Sequence, residues 1–162
     1  MATTLAILTV DVPNNAWLRT ISRPLASFDS RIVVDKPDVS FRAFRTADVI
    51  LLGPGVSRPR RMMMLRALTR TGVMSPALAV ISPNESTEQV LGYLQGGASA
   101  VILETDGPGE FMLAVEQARD GRLYLSSSLV PAMLRRYREL CAESRRNREQ
   151  APKPSSLCSR SN

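Results

Sequence analysis

The most informative stretch of this chain is Gly53-Pro54-Gly55, which ends an apolar run at residues 49–52. A continuously apolar run is typical of a parallel strand that is buried on both faces. Gly-Pro-Gly cannot extend the strand, so the chain must turn there. Three other apolar runs are followed by Asp11, Ser82 and Glu104. Because ligand crevices form at the carboxyl edge of a parallel sheet, we expect these side chains beside Gly53.

The elements that position these residues alternate between strand and helix. Apolar runs predict five strands, at residues 4–10, 31–35, 48–52, 77–82 and 99–103. Helical spacing predicts helices at 15–28 (bent near Pro24), 36–46 (weak), 59–71, 83–95, 108–119 and 129–146. This alternation predicts an α/β fold, a doubly wound parallel sheet with helices on both faces. Residues 124–126 are predicted to be a short extended link.

The helix predicted at residues 59–71 follows Gly53-Pro54-Gly55 directly and is both basic and rich in methionine. Its apolar residues are Met62, Met63, Leu65, Ala67 and Leu68. The arginines Arg60, Arg61, Arg66 and Arg70 are predicted to form its outer face. Alternatively, Arg58, Arg60 or Arg61 could reach back from the start of this helix and pair with Asp11 or Glu104.

The composition restricts the possible functions. The 162 residues contain no His, which is the most common acid–base catalyst and a frequent metal ligand. This argues against a hydrolase or a metalloenzyme, and neither a metal nor another cofactor is expected. Two cysteines do not make a disulfide framework. With no apolar run of about 18 residues and no signal peptide, a cytoplasmic protein without membrane contact is expected.

The net charge of +6 comes from arginines that cluster at residues 58–70 and 135–148. The second cluster could contact a polyanion through Arg135, Arg136, Arg138, Arg145 and Arg146. It could equally be the solvated face of a helix.

Two motifs resemble those of a known family. Residues 96–103, Gly-Gly-Ala-Ser-Ala-Val-Ile-Leu, resemble the xAGAxGYLLK block of NarL/LuxR-type response-regulator receiver domains. Residues 118–126, Ala-Arg-Asp-Gly-Arg-Leu-Tyr-Leu-Ser, resemble the A-x-x-G-x-x-Y-L-S stretch of that family. The resemblance covers about residues 4–140. It implies a flavodoxin-like (CheY-like) fold with five parallel strands in the order 2-1-3-4-5 and a C-terminal linker helix.

The resemblance also implies a phosphorylation site, from which this chain departs. The family phosphorylates an Asp at the end of strand three, where this chain has Gly53. Of the acidic pair that holds Mg²⁺, Asp11 matches one member and Val12 replaces the other. The other family positions are Ser82 (a hydroxyl, kept), Glu104 (a lysine in the family) and Val101 (an aromatic switch in the family). Because Gly53 has no carboxylate nucleophile, aspartyl-phosphate formation there is impossible.

The predicted function is therefore regulatory and not enzymatic. The chain is expected to be a non-phosphorylatable, receiver-like domain of an atypical response regulator. It would act in signal transduction and transcriptional control by forming a homodimer or by binding a protein partner. The alternative is a ligand sensor whose degenerate pocket, with the loop residues Pro54, Gly55 and Arg58, binds a metabolite.

The chain is predicted to have three parts. Residues 1–126 form the receiver-like domain, residues 127–149 form the linker helix, and residues 150–162 form a disordered tail. NarL/LuxR-type regulators carry a helix-turn-helix output domain after the receiver, and this chain shows none. DNA contact is thus expected only through a domain that is absent here. A truncated gene product and a stand-alone receiver both fit this arrangement.

Overall fold

The fold centres on a parallel sheet of six strands in the order β2-β1-β3-β4-β5-β6. The computed structural model describes residues 2–9, 16–34 and 42–151. The strands are β1 (Thr4–Thr9), β2 (Asp29–Val34), β3 (Val49–Leu52), β4 (Ala77–Ile81), β5 (Ala98–Leu103) and β6 (Tyr124–Leu125). The helices are α1 (Ala16–Thr20), α2 (Ser22–Leu25), α3 (Arg42–Arg45), α4 (Arg58–Arg70), α5 (Thr87–Gln95), α6 (Pro108–Arg119) and α7 (Val130–Gln150).

The predicted fold class and the strand order 2-1-3-4-5 are confirmed. The sheet extends one strand further than predicted, because the expected link at residues 124–126 contains β6. This two-residue strand pairs with β5 in parallel, with Tyr124 opposite Ala100 and Leu125 opposite Val101. This pairing joins residues that are distant along the chain, so the local periodicity of the sequence did not reveal it.

Strand side chains alternate between the two faces of the sheet and build two separate cores. On one face, Leu8 and Leu52 pack with buried residues of α4 and α5. On the other face, Ile7 and Leu51 pack with Trp17 and with buried residues of α6. Strands β3 and β4 are buried throughout, as their continuous apolar runs predicted.

The first predicted helix is divided. Helix α1 ends at Thr20, and α2, which contains Pro24, follows after Ile21. The weak helix predicted at residues 36–46 is observed as the single turn α3, while residues 35–41 lie outside the described part. The helix predicted at residues 83–95 begins later, at Thr87, where Ser86 and Gln89 form a capping box.

Helix α4 presents a different face to the core than its composition suggested. Its buried residues are Arg61, Met64, Leu65 and Leu68. Met63, one of the apolar residues of this helix, is 48% exposed and lies outside the core, and the predicted placement of Arg61 on the outer face was wrong. The buried positions follow the i, i+3, i+4, i+7 spacing of an amphipathic helix, and an arginine occupies the first of them.

Helix α7 projects from the domain, and none of its residues is buried. Leu129 and Met133 pack partly against the first core cluster, at the start of the helix. The limits of the predicted linker helix and tail stay predictions, and residues 152–162 lie outside the described part. No helix within the described ranges is long and apolar enough to cross a membrane.

Candidate functional site

Three of the residues predicted to form a site, Gly53, Ser82 and Glu104, lie at the carboxyl edge of the sheet. The Gly53 amide donates to the Leu8 carbonyl of β1 at 2.8 Å, which places Gly53 beside the end of that strand. Ser82 follows the last residue of β4, and the Glu104 amide donates to the Ile81 carbonyl at 2.8 Å. Gly53, Ser82 and Glu104 therefore end three adjacent strands. Asp11 and Val12 lie outside the described residues.

The position of Gly53 leaves no room for a side chain, and glycine itself supplies no nucleophile. A Cβ atom built on Gly53 would lie 2.9 Å from the Leu8 carbonyl oxygen, which is closer than real Cβ contacts. The neighbouring atom is backbone and belongs to Leu8, which is fully buried in β1, so it cannot move aside easily. The close approach of β1 and β3 thus favours glycine at this position.

Beneath this edge lies a buried network of Arg61, Glu85 and Tyr93. The Arg61 Nη1 donates to Glu85 Oε1 at 3.0 Å and to the Tyr93 hydroxyl at 2.9 Å. Its Nη2 donates to the Val80 carbonyl at 2.9 Å and approaches the Gly53 carbonyl at 3.5 Å. The Tyr93 hydroxyl in turn donates to Glu85 Oε2 at 2.5 Å. One guanidinium thereby links the ends of β3 and β4 to α5 and to the segment that precedes this helix.

The burial of this network makes it energetically important. The Arg61 side chain is 3% exposed and the Glu85 side chain 15%. A buried charge is tolerated when it is paired and hydrogen-bonded, and removing one partner leaves the other unpaired. The Arg61 guanidinium also lies 5.2 Å from the centre of the Tyr93 ring, within the range of a cation–π interaction. Burial, followed by the hydrogen bond to Glu85, raises the pKa of Tyr93.

Arg61 reaches back from the start of α4 toward the Gly53 carbonyl, but the carboxylate with which it pairs is Glu85, so the pairing predicted with Glu104 was wrong. Arg58 turns elsewhere and lines a groove between α4 and α5. Pro54 is buried, whereas Gly55 is exposed and has a φ of 86°, which favours glycine. Val101 is fully buried in the core and is not part of the open edge.

The described part of the chain contains no group of three or more His, Cys, Asp or Glu side chains that could hold a metal ion. Glu104 and Ser82 are each half-buried at the edge. A carboxylate at the Glu104 position repels an incoming phosphoryl group, where a cation would stabilise it. The metabolite site predicted at this edge stays a prediction.

The basic residues of α7 do not behave as one group. The Arg136 Nε lies 2.5 Å from Glu88 Oε1 of α5. Arg136 forms further ion pairs with Glu139 and Glu143 on its own helix. Of these contacts, the one with Glu88 joins the first half of α7 to the domain. The other predicted polyanion contacts, Arg135, Arg138, Arg145 and Arg146, are exposed, and their role stays a prediction.

Reasoning from the sequence alone missed Glu85 and Tyr93 entirely. They lie 24 and 32 residues from Arg61 along the chain, so no local spacing links them. One signal was available, because Arg61 lies at the buried spacing of Met64, Leu65 and Leu68. An arginine on the apolar face of a helix needs a buried partner.

Solved structures with the same architecture are numerous. A LuxR-family two-component response regulator from Aurantimonas sp. SI85-9A1 aligns with a TM-score of 0.66 and 16% identity, covering 85% of this chain and 99% of that one. The signal receiver domain of the response regulator NarL from Mycobacterium tuberculosis aligns with a TM-score of 0.58 and 20% identity, covering 75% and 100%. The fold is that of a response-regulator receiver domain. The receiver fold of this chain thus matches the one that its two motifs implied.

One of the similar solved structures belongs to a longer chain. The response regulator ChrA of a heme-sensing two-component system aligns with a TM-score of 0.58 and 21% identity, over 84% of this chain. The alignment covers 66% of the ChrA chain, so this chain spans slightly less than two thirds of it. Neither family models nor curated protein sequences match this chain.

Proposed function

We propose that this protein is a receiver-like regulatory domain of an atypical response regulator that is not phosphorylated at the end of β3. It acts in signal transduction and transcriptional control by forming dimers or binding a protein partner. The observation that carries the proposal is Gly53, which stands where receivers place the aspartate nucleophile and has no room for a Cβ atom. A carboxylate is thus both absent and sterically disfavoured there.

The charges around Gly53 support the same conclusion. Glu104 brings a negative charge to the edge where a phosphoryl group would need a positive one. Arg61, the buried arginine nearest to Gly53, is already committed to Glu85, Tyr93 and the Val80 carbonyl. The contacts of Arg61 hold the ends of β3 and β4 against α5 without any phosphoryl group. The edge is therefore expected to stay in one conformation.

Treatment with a phosphoryl donor tests this proposal. We expect that incubation with acetyl phosphate and Mg²⁺ adds no phosphoryl group to the purified protein, as measured by intact mass, and that beryllofluoride with Mg²⁺ leaves its NMR spectrum unchanged. A canonical receiver domain treated in parallel shows that the reagents are active. A phosphoryl group mapped by peptide mass to any residue at the carboxyl edge of the sheet would refute the proposal.

Helix α7 offers the best surface for a dimer. Val130, Leu134, Tyr137 and Leu140 are exposed by 37, 51, 65 and 39% and recur at helical spacing. With Val130 and Tyr137 in the a positions of a heptad, Leu140 falls in d, Glu143 in g and Arg148 in e. In a parallel pair of such helices, Glu143 of one copy stands opposite Arg148 of the other, which favours two copies of this chain.

Size-exclusion chromatography with light scattering tests the dimer. We expect a dimer for the natural chain and a monomer for Leu140→Asp, because a carboxylate in the d position would be buried against the other copy. Met74→Asp is the matched control, since Met74 is 94% exposed and lies outside α7. A dimer that persists in Leu140→Asp, or one lost in Met74→Asp, would contradict this surface.

A further inference from the structure

A groove between α4 and α5 lies apart from the Gly53 edge and has its own chemistry. It encloses about 490 Å³, within the range of small-molecule sites. Its lining residues are Arg58, Met62, Arg66, Thr69, Arg70, Gly92, Gln95, Gly96 and Gly97. We propose that this groove binds a small organic ligand that carries two or more phosphate groups, such as a nucleoside diphosphate. The proposal goes beyond the regulatory role above and does not depend on the absence of phosphorylation.

The groove exists because three glycines face α4. A Cβ atom on Gly92 would lie 3.9 Å from Arg58 Nη2, and one on Gly96 would lie 3.0 Å from Met62 Cε. A Cβ atom on Gly97 would lie 2.7 Å from the Thr69 hydroxyl. Side chains at these positions would fill the space between the two helices. Their absence leaves a backbone floor that a ligand can approach closely.

The positive charge of the groove favours a negatively charged ligand. Arg58, Arg66 and Arg70 are exposed, and none of the ion pairs among the described residues involves them. No carboxylate is among the described residues that line the groove. Three guanidinium groups without a counter-charge raise the affinity for an anion that bears several charges.

The spacing of these arginines favours linked phosphates. On an α-helix, Arg66 and Arg70 are separated by about 6 Å along the axis and Arg58 and Arg66 by about 12 Å. A single phosphate can engage one guanidinium fork, whereas linked phosphates can engage neighbouring ones with the bidentate geometry that arginine provides. The apolar side chain of Met62 and the glycine floor can accommodate the organic part of the ligand.

Isothermal titration calorimetry with ADP and with inorganic pyrophosphate tests the proposal on the full chain. We expect both to bind, ADP more tightly, and we expect the amide NMR signals of Gly92, Gly96 and Gly97 to shift. Arg66→Gln/Arg70→Gln should weaken binding by about tenfold or more, because charged hydrogen bonds are lost. Arg19→Gln/Arg23→Gln, which removes the same charge from exposed positions outside the groove, should bind normally.

A second variant blocks the groove without changing any charge. Gly92→Leu should fold well, because leucine is a better helix former than glycine and its Cβ atom has ordinary contact distances. Its side chain should occupy the groove and abolish ADP binding. Equal ADP affinity in Gly92→Leu, or no binding of either probe to the natural chain, would overturn the proposal. So would glycine shifts caused by a short single-stranded DNA oligonucleotide and not by ADP.

Discussion

At the scale of single residues, the molecule depends on Arg61, a cation inside the core. It is the one arginine of α4 on the buried face, and it reaches acceptors on β4, α5 and the segment between them. Its charge is balanced by Glu85, whose second oxygen accepts from Tyr93. Each of the three side chains is hydrogen-bonded to the other two.

Removal of Arg61 alone should therefore be strongly destabilising. We expect Arg61→Met to lower the free energy of unfolding by about 3 kcal/mol, because Glu85 would be left as an unpaired, largely buried carboxylate. The triple change Arg61→Met/Glu85→Leu/Tyr93→Phe should regain much of this loss, since it removes the polar groups together. Urea unfolding measures both. Arg66→Met on the exposed face is the control, and a similar effect of the two methionine variants would disprove the argument.

Gly53 gives a second prediction at this scale. Gly53→Ala should lower the free energy of unfolding by about 1–3 kcal/mol, because its Cβ atom meets the Leu8 carbonyl. Gly53→Asp should be destabilised at least as much and should not gain phosphorylation, since Glu104 stays in place. Thermal melts and acetyl phosphate treatment check the two statements. An alanine variant as stable as the natural chain would show that space does not exclude a side chain here.

At the scale of elements, the junction of α6, β6 and α7 depends on Glu110. The Ser127 amide donates to Glu110 Oε1 at 2.8 Å, and this hydrogen bond lowers the pKa of Glu110. Burial, followed by the hydrogen bond to Glu110, raises the pKa of Tyr124 on β6 to about 12. One carboxylate in the first turn of α6 thus accepts a hydrogen bond from the segment that joins β6 to α7.

The lowered pKa of Glu110 predicts that the stability of the protein decreases in acid. Because the folded pKa of Glu110 lies below its unfolded value of 4.5, the stabilisation is fully present above pH 4.5 and is lost as the pH falls through the folded pKa. Glu110→Gln should lower the free energy of unfolding by about 1 kcal/mol at neutral pH, and the difference should vanish in acid. Urea unfolding as a function of pH measures it. Glu116→Gln, an exposed change on the same helix, should show no such trend.

Elements with strong local signals were predictable, and those that depend on distant partners were not. The runs that became β3 and β4 are apolar throughout, so periodicity alone identified them as buried parallel strands. Strand β6 has two half-buried residues and exists because Val101 lies opposite Leu125. The residues at the Gly53 edge could be predicted because each of them follows a predicted strand along the chain. The partners of Arg61 could be identified only from the tertiary structure.

At the scale of the whole molecule, the protein is a two-sided sheet from which one helix projects. Both faces of the sheet carry their own core, and α7 touches only one of them, through Leu129 and Met133. Beyond these residues, α7 is held by the ion pair of Arg136 with Glu88, at the surface of α5. The helix is thereby divided into a part that belongs to the fold and a part that is available to partners.

Two shortened chains should separate these parts. A chain that ends at Cys141 keeps Leu129, Met133 and Arg136, so its free energy of unfolding should stay within about 0.5 kcal/mol of that of the full chain. A chain that ends at Ser128 loses the two apolar contacts and should be less stable by about 2 kcal/mol. Urea unfolding should be measured at a concentration where light scattering finds monomers, because dimerisation would add its own stabilisation. If the two shortened chains are equally stable, then α7 contributes nothing to the fold. If the chain ending at Cys141 is the less stable one, the second half of α7 has contacts with the domain that the division of the helix excludes.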